Sequence, residues 1–585
     1  MSRWIISPLA DTLLFIAVPL VTVAALIPLS RFFPPAEFAA VLLAFFTFGH
    51  HLPGFLRAYG DKELFSQYRW RFLLAPPLVF TASLWFAWRD LHGLLFAVFT
   101  WDIWHVLMQH YGFLRIYDAK SGGAGAWSAR LDRAVSLSWY ITFIAISPHY
   151  LHNLLLRAYS SGVPVVRVEW VNLASSVLLV MSVAASVAYA AFQLFAWRRG
   201  AACNGRKLAT LACFLAATYY LYVVHPDFQV GFAVWSAFHC VQYYGIVWAF
   251  NQKRISKKGA VLAFLRFLFQ PRLPFMLLYL GVIAAYGAIN YTTRFLSEGA
   301  ALQLVMAFVV MSGTLHYYYD GFIWKIRQPG TGQALAIDTG TSAPPRRLAP
   351  GWLQTAYLAA AIAGLAALEW IFPPDAVRTR QELVRVTPQV EMAHVELGKT
   401  LRAQGRMEEA AAAMAEARLQ VPHSADVRQQ YGLALAVLGR EDQAAAVFEQ
   451  ALAIDSGSRA AHYNLAVLLA KRGESRRALD HFRRAFPEGD RQALRALEKE
   501  PGAADALNNL ALGLLQSGDH AGAVSMWRRA VELQPRHAVA HLNLASALML
   551  AGDRAAAAGH YRAALTHGDE ATRASAERML RSLGN

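Results

Sequence analysis

The feature that most constrains this chain is a succession of apolar runs, each about 20 residues long, filling the sequence up to about Phe372. A run of that length is what an α-helix needs to cross about 30 Å of hydrocarbon. In a bilayer every backbone N–H and C=O must be satisfied within its own segment, so such runs fold as helices. Eleven spans are expected, near 9–30, 37–57, 70–88, 91–115, 134–156, 171–197, 208–224, 228–250, 273–291, 301–324 and 353–372. Beyond them the composition turns to Ala, Arg, Glu and Leu. The expected fold is all-α: a polytopic transmembrane helix bundle in residues 1–375, a linker at 376–387, and a separate helical domain at 388–585.

The net charge of +16 raises the question of nucleic acid. Its distribution answers it. The excess of Lys and Arg is 13 before residue 376 and 3 after it. Most of it sits in short loops between apolar runs, where it sets topology. No nucleic-acid partner is expected. Alternate loops carry 22 basic residues against 5 in the others. The poor set is Arg31, Arg89, Arg157, Arg167 and Arg294; the richest loop holds Lys253, Arg254, Lys257, Lys258, Arg266 and Arg272. The positive-inside rule then places the N-terminus in the cytoplasm of an inner (plasma) membrane, and an odd number of spans places the C-terminal domain outside. Residues 1–4 lead into an apolar run with no small-residue cleavage site, so the start reads as a first membrane helix. Cys203, Cys213 and Cys240 form no C-x-x-C pair, which argues against a disulfide framework or a structural zinc site. Residues 328–350 are rich in Gly, Thr and Pro and read as a flexible loop.

The C-terminal domain repeats itself every 34 residues. Gly405, Gly439 and Gly473 keep this step, as do Gly518 and Gly552. Ala417, Ala451 and Ala485 keep it, then Ala530 and Ala564. Phe448, Phe482, Trp527 and Tyr561 hold a further register, Asn464, Asn509 and Asn543 another, and Pro422, Pro501 and Pro535 mark the joints between units. This pattern resembles the tetratricopeptide (TPR) repeat family over about 388–568, in five repeats. The register slips by 11 residues between Ala485 and Ala530, which places an insertion at 487–497. Residues 569–583 read as a closing cap helix. The resemblance implies an α-solenoid that binds a protein or peptide in its groove. The nine histidines of this half, such as His462 and His541, read as helix-surface residues.

Ten histidines lie in the membrane half. Ionisable groups in a span are costly and face the bundle interior, so they mark candidate sites. Four segments resemble one another: GHHLPGFLR (49–57), HVLMQHYGFLR (105–115), HCVQYYGIVW (239–248) and HYYYDGFIWK (316–325). His50, His51, His105, His110 and His316 lie within about 15 Å of the cytoplasmic boundary at 1.5 Å per residue, and His239 is deeper. Asp102, His105 and Gln109 share one helix face; His239 and Gln242 share another; His316 and Asp320 are one turn apart. Imidazole is a good ligand for iron, copper or zinc, and a neighbouring carboxylate or amide orients it or adds a ligand. The candidate metal ligands are therefore His50, His51, His105, His110, His239 and His316, with Asp102, Gln109, Gln242 and Asp320 as additional ligands or orienting partners. His92, His149, His152 and His225 lie toward the outer face and read as interface residues.

With His105 and His110 in an H-x(4)-H box, this layout loosely resembles the histidine-rich integral-membrane oxygenases, namely the desaturases, hydroxylases and carotene-cleaving dioxygenases. That resemblance implies iron, as a di-iron centre, or another transition metal, and a metal-dependent oxidoreductase acting on a lipid-soluble substrate. Axial ligation of haem from two helices is the alternative cofactor. Two other functions compete. One is a membrane-anchored TPR scaffold for envelope protein assembly. The other is a lipid-linked glycosyltransferase, for which the short first outer loop offers only Glu37.

Overall fold

The computed structural model describes residues 3–122, 125–200, 204–256, 259–296, 299–324, 351–485, 503–516 and 518–583. The expected loop at 328–350 and the expected insertion at 487–497 lie outside the described residues. The described chain is helical; its one β-type pairing is an isolated antiparallel bridge between Asp61 and Val261. It divides into two compact units, 1–387 and 388–585.

In the first unit six helices are long and apolar enough to cross a membrane: Pro35–Gly60, Lys62–Trp88, Val168–Arg198, Gly205–Val224, Leu273–Phe295 and Ala300–Ile323. Two bent pairs bring the number to eight at most: Pro8–Ile16 with Val18–Ser30, bent by 59°, and Thr355–Ile371 with Ala376–Val386, bent by 98°. The expectation of eleven is therefore reduced to six to eight. The expected spans at 91–115 and 228–250 fall in the helices Gly93–Lys120 and Phe228–Ile255, which are long but interrupted by polar residues such as Asp102, His105, Gln109 and Gln242. The expected span at 134–156 is broken. Its helix Ala126–Ile146 stops at Ser147, whose Oγ accepts the Tyr150 N–H at 3.3 Å and opens a new helix, Pro148–Ser160. The expected linker at 376–387 is largely the helix Ala376–Val386, capped by Asp375, which accepts the N–H groups of Val377 and Arg378 at 3.0 Å.

Burial separates the helices by role. Phe228–Ile255 is enclosed: Ala233, Val234, Trp235, Ala237, Phe238, His239 and Cys240 are all buried. Val168–Arg198 instead exposes Val177, Val180, Met181, Val183, Val187 and Phe195. A face of that kind is unfavourable in water and suits an acyl-chain environment. Three π-helical turns, Thr12–Ile16, Leu43–Phe48 and Tyr220–Val224, interrupt the α-helical ladder. The enclosed helix answers two of them with side-chain donors: Gln242 Nε2 to the Phe15 carbonyl at 3.0 Å and Tyr244 Oη to the Phe46 carbonyl at 2.9 Å.

Among the described residues the second unit consists of five helix pairs and a closing helix. The pairs are Glu391–Ala403 with Met407–Gln420, Ala425–Val437 with Glu441–Ile454, Arg459–Lys471 with Ser475–Ala485, Ala503–Gln516 with His520–Leu533, and Ala538–Leu550 with Arg554–His567. Glu570–Ser582 closes the stack. Gly405, Gly439, Gly473, Gly518 and Gly552 sit in the intra-pair turns at φ between 73° and 87°, a conformation that side-chain-bearing residues rarely adopt. The alanines of the 34-residue step, Ala417, Ala451, Ala485, Ala530 and Ala564, are buried where the helices approach.

His394, His462 and His541 correct the surface expectation: all three are buried. Each occupies the same place in the first helix of its pair. Each Nε2 reaches a carbonyl six residues earlier, at Pro388 (2.7 Å), Ser456 (3.1 Å) and Pro535 (3.0 Å). The imidazole thus satisfies a loop carbonyl just before its own helix, a structural task.

Candidate functional site

The π turn Leu43–Phe48 delivers His50 and His51 into the centre of the first unit. Across from them His105 comes from Gly93–Lys120, His239 from Phe228–Ile255, and His316 with Asp320 from Ala300–Ile323. All five imidazoles are buried, and their rings stand 4.4 Å (His50–His316), 4.8 Å (His105–His316), 4.9 Å (His105–His239) and 5.1 Å (His50–His239) apart. Two groups of donor atoms each lie within 4.8 Å of one another: His50, His105 and His239; and His105, His316 and Asp320. In the second group His105 Nε2 and His316 Nε2 are 3.2 Å apart, and Asp320 Oδ2 is 3.9 and 3.8 Å from them. Either group has the composition to coordinate a metal ion.

Neighbours fix the orientation of these rings. The Thr47 carbonyl, in the π turn, takes His50 Nδ1–H and leaves Nε2 with its lone pair. Ser312 Oγ holds His51 Nδ1 at 2.9 Å. Tyr243 Oη donates to Asp320 Oδ1 at 2.9 Å. Gly54 admits this crowding, since a Cβ there would lie 2.9 Å from Tyr243 Oη and 3.2 Å from His316 Nδ1. Thr47, Tyr243, Ser312 and Tyr317 were not singled out in the sequence; Tyr243 and Tyr317 stand beside Gln242 and His316 in the motifs themselves.

The other expected residues take different places. Asp102 Oδ1 accepts from Tyr317 Oη at 2.9 Å, and Tyr317 packs 5.1 Å from His105, so Asp102 sits one residue removed. Gln109 Nε2 donates to the His239 carbonyl at 3.1 Å and to Gln242 Oε1 at 3.3 Å; these two amides bind backbone and each other. His110 is remote from the group, its ring stacked on Phe214 at 3.8 Å. Five residues along a helix turn a side chain about 140° from its starting face, so His105 and His110 diverge. Among the outer histidines, His152 is buried with Nδ1 3.3 Å from Thr387 Oγ1.

A cavity of about 360 Å³ reaches His105 and Asp320. Its walls are Trp101, Trp104, Met108, Tyr243, Tyr317 and Trp324. Concave, mostly aromatic space with a few polar groups at one end is the usual form of a small-molecule site.

The second candidate surface is the repeat unit. Its first helices carry the exposed apolar residues Met392, Val437, Val539 and Leu550. Between them run polar links from pair to pair: Arg402 Nη1 to Gln430 Oε1 at 2.6 Å, Asn509 Nδ2 to the Ala470 carbonyl at 2.7 Å, and Asn543 Nδ2 to Asn508 Oδ1 at 2.9 Å.

Comparison with known proteins identifies this second unit. Tetratricopeptide-repeat family models match residues 363–426, 395–459, 438–500 and 508–575, so the C-terminal part of the chain is a TPR-repeat region. No curated protein sequence matches the chain. Among solved structures, YrrB, described as a TPR protein with an unusual peptide-binding site, is 19% identical, over 35% of this chain and 100% of its own, with a TM-score of 0.27. MamA of Desulfovibrio magneticus RS-1 is 21% identical over 30% of this chain and 92% of its own, with a TM-score of 0.22. PilF of Pseudomonas aeruginosa is 19% identical over 33% and 90%, with a TM-score of 0.22. These likenesses concern the fold of the repeats. The expected metal-dependent oxidoreductase is corrected accordingly: the family models that match are tetratricopeptide repeats, which support an interaction scaffold and give no support to oxidoreductase activity.

Proposed function

We propose that the chain is a membrane-anchored scaffold whose TPR unit binds an extended segment of a partner protein. The observation that carries this is the stack of five helix pairs with a closing helix. Stacked pairs bury what no single pair can, and their first helices line a continuous concave surface. The exposed Met392, Val437, Val539 and Leu550 supply apolar contact there, and the half-buried Gln429 and Asn464 on the first helices supply donors and acceptors to a peptide backbone.

The six to eight candidate spans support anchorage in a bilayer. The alternation of basic loops supports a cytoplasmic N-terminus and an extracytoplasmic TPR unit. The partner in this reading is an envelope protein.

A photoreactive amino acid placed in cells at Gln429, Tyr463 or Leu542, on the first helices, tests the proposal. Discrete adducts with one protein are expected at these sites and not at Glu416, Glu449 or Arg562, on the second helices. Equal labelling of both sets, or none, refutes a specific groove.

A further inference from the structure

We infer that the histidine cluster of the first unit binds one divalent first-row transition-metal ion, seated on His105, His316 and Asp320, with a coordination position open to the aromatic cavity. This goes beyond the scaffold function and does not depend on it.

Three lines carry the inference. The first is spacing. The triangle formed by His105 Nε2, His316 Nε2 and Asp320 Oδ2 has sides of 3.2, 3.8 and 3.9 Å. The point equidistant from its corners lies about 2.1 Å from each, which is the bond length of zinc and its neighbours to imidazole nitrogen and carboxylate oxygen. An ion would enter with little movement of the side chains.

The second is unmet hydrogen-bonding capacity. His50 Nε2 and both ring nitrogens of His239, in the donor group that shares His105, are buried without a hydrogen-bond partner, as is His51 Nε2. A purely structural cluster would pair them, because a buried polar atom without a partner loses its hydration and gains nothing in return. Five neutral imidazoles can share only a few N–H donors among themselves, and the one nitrogen–nitrogen contact inside the cluster is His105–His316. A cation changes this balance, since lone pairs directed at a shared centre become ligands. His50 and His239, which with His105 form the second donor group, are positioned to complete or replace the first shell.

The third is orientation from outside. A ligand imidazole ordinarily gives its other N–H to a carbonyl or carboxylate, which fixes the tautomer. His50, in the donor group that shares His105, does this through Thr47. Asp320 is likewise held by Tyr243 through the oxygen that the ion would not use. The donor set is nitrogen and oxygen without sulfur, which suits Zn²⁺, Fe²⁺, Co²⁺ or Mn²⁺ and disfavours Cu⁺. The cavity meets the triangle at His105 and Asp320, so its space adjoins the ion and gives an exogenous ligand a way in.

The test uses the full-length protein in mild detergent, stripped with chelator, reloaded separately with Zn²⁺, Fe²⁺, Co²⁺ and Mn²⁺, dialysed, and analysed for metal and protein. About one equivalent of at least one ion is expected, and Co²⁺ gives visible d–d bands. Affinity falls at least tenfold in His316→Gln and Asp320→Asn, which keep polarity and volume, and is unchanged in His110→Phe, a buried imidazole outside the triangle. Reloading raises the thermal midpoint of the wild type and not of the two triangle variants. Less than about a tenth of an equivalent of every ion in folded wild type overturns the inference, as does equal metal loss in His110→Phe. A misfolded triangle variant leaves the wild-type stoichiometry and the Co²⁺ spectrum to decide.

Discussion

Replacing Trp527 by alanine is the sharpest test of how the repeat unit is held together. The indole is buried, and its Nε1–H donates to Asn508 Oδ1 at 3.2 Å. The same oxygen accepts Asn543 Nδ2 at 2.9 Å, so one amide joins the fourth pair to the fifth. Truncating a buried Trp costs about 3–5 kcal/mol through lost transfer energy and the cavity left behind. The lost hydrogen bond adds about 0.5–1.5 kcal/mol. No acceptor is orphaned, because Asn543 still satisfies the oxygen. The sum is about 3.5–6.5 kcal/mol. In a solenoid each repeat interacts with its neighbours alone, so the loss stays local. At about 1.4 kcal/mol per factor of ten, amide protection in Ala503–Gln516, His520–Leu533 and Ala538–Leu550 falls on the order of a thousandfold or more. In Glu391–Ala403 and Met407–Gln420 it changes less than about threefold. Hydrogen–deuterium exchange on the full-length chain in detergent resolves the two regions. Trp527→Phe, which keeps most of the apolar contact, should cost far less. Uniform loss of protection from Glu391 to Ser582 would refute the nearest-neighbour reasoning, and a loss below about tenfold in the fourth pair would refute the packing estimate.

Two further outcomes follow from the same physics. Burial holds the His481, His541 and His560 imidazoles below their ordinary value, with repulsion from His462 adding at His481 and from His541 adding at His560. His541 and His560 face each other through Nδ1 at 2.9 Å, an arrangement that suits neutral rings. The unfolded chain takes up protons near 6.5 while the folded chain resists, so stability is held above that pH and lost as pH falls toward the lower folded values. Pulse proteolysis at pH 7.5 and 5.5 should show a less stable repeat unit at 5.5, and His541→Asn with His560→Asn should flatten the difference. In the first unit, Arg254 grips Asp61 at 2.7 Å with both groups buried. Asp61 also caps its helix through the N–H groups of Glu63 and Leu64. Asp61→Asn keeps a capping side chain and removes the charge, so a loss of about 3–5 kcal/mol, read as a lowered thermal midpoint in detergent, isolates the ion pair; an unchanged midpoint excludes it.

The repeats were legible because their constraints are local and recur. A glycine at positive φ and an alanine at a helix crossing leave the same mark every 34 residues, as Gly405, Gly439 and Gly473 show. His394, His462 and His541 were misread because a lone polar residue on a helix carries no sign of the carbonyl it meets. Their common place in each pair was the available signal. Apolar runs located the membrane helices less well than their ends. Ser147–Pro148 has the form of a helix start, a capping hydroxyl followed by proline at the first position, and so marked the break inside the run at 134–156. In the candidate site the residue types were visible and the rotations were not. H-x(4)-H reads as a box on paper, yet one of its histidines faces the cluster and the other lies on Phe214. No run of residues announces a π turn: the side chain that meets its carbonyls, Tyr244 on that of Phe46, comes from a helix 198 residues away in sequence.

The turn at Leu43–Phe48 has a consequence for ancestry. A π turn closes its hydrogen bonds from i to i+5 where an α-helix closes them from i to i+4, so it holds one residue more than the α pitch requires. Removing one residue there would rotate everything beyond it by about 100° and carry His50 and His51 off the cluster with their identities intact. The two imidazoles thus depend on the length of the segment before them as much as on being histidine. Divergent relatives that keep the His-His pair but lack that extra residue would have inherited the letters without the geometry.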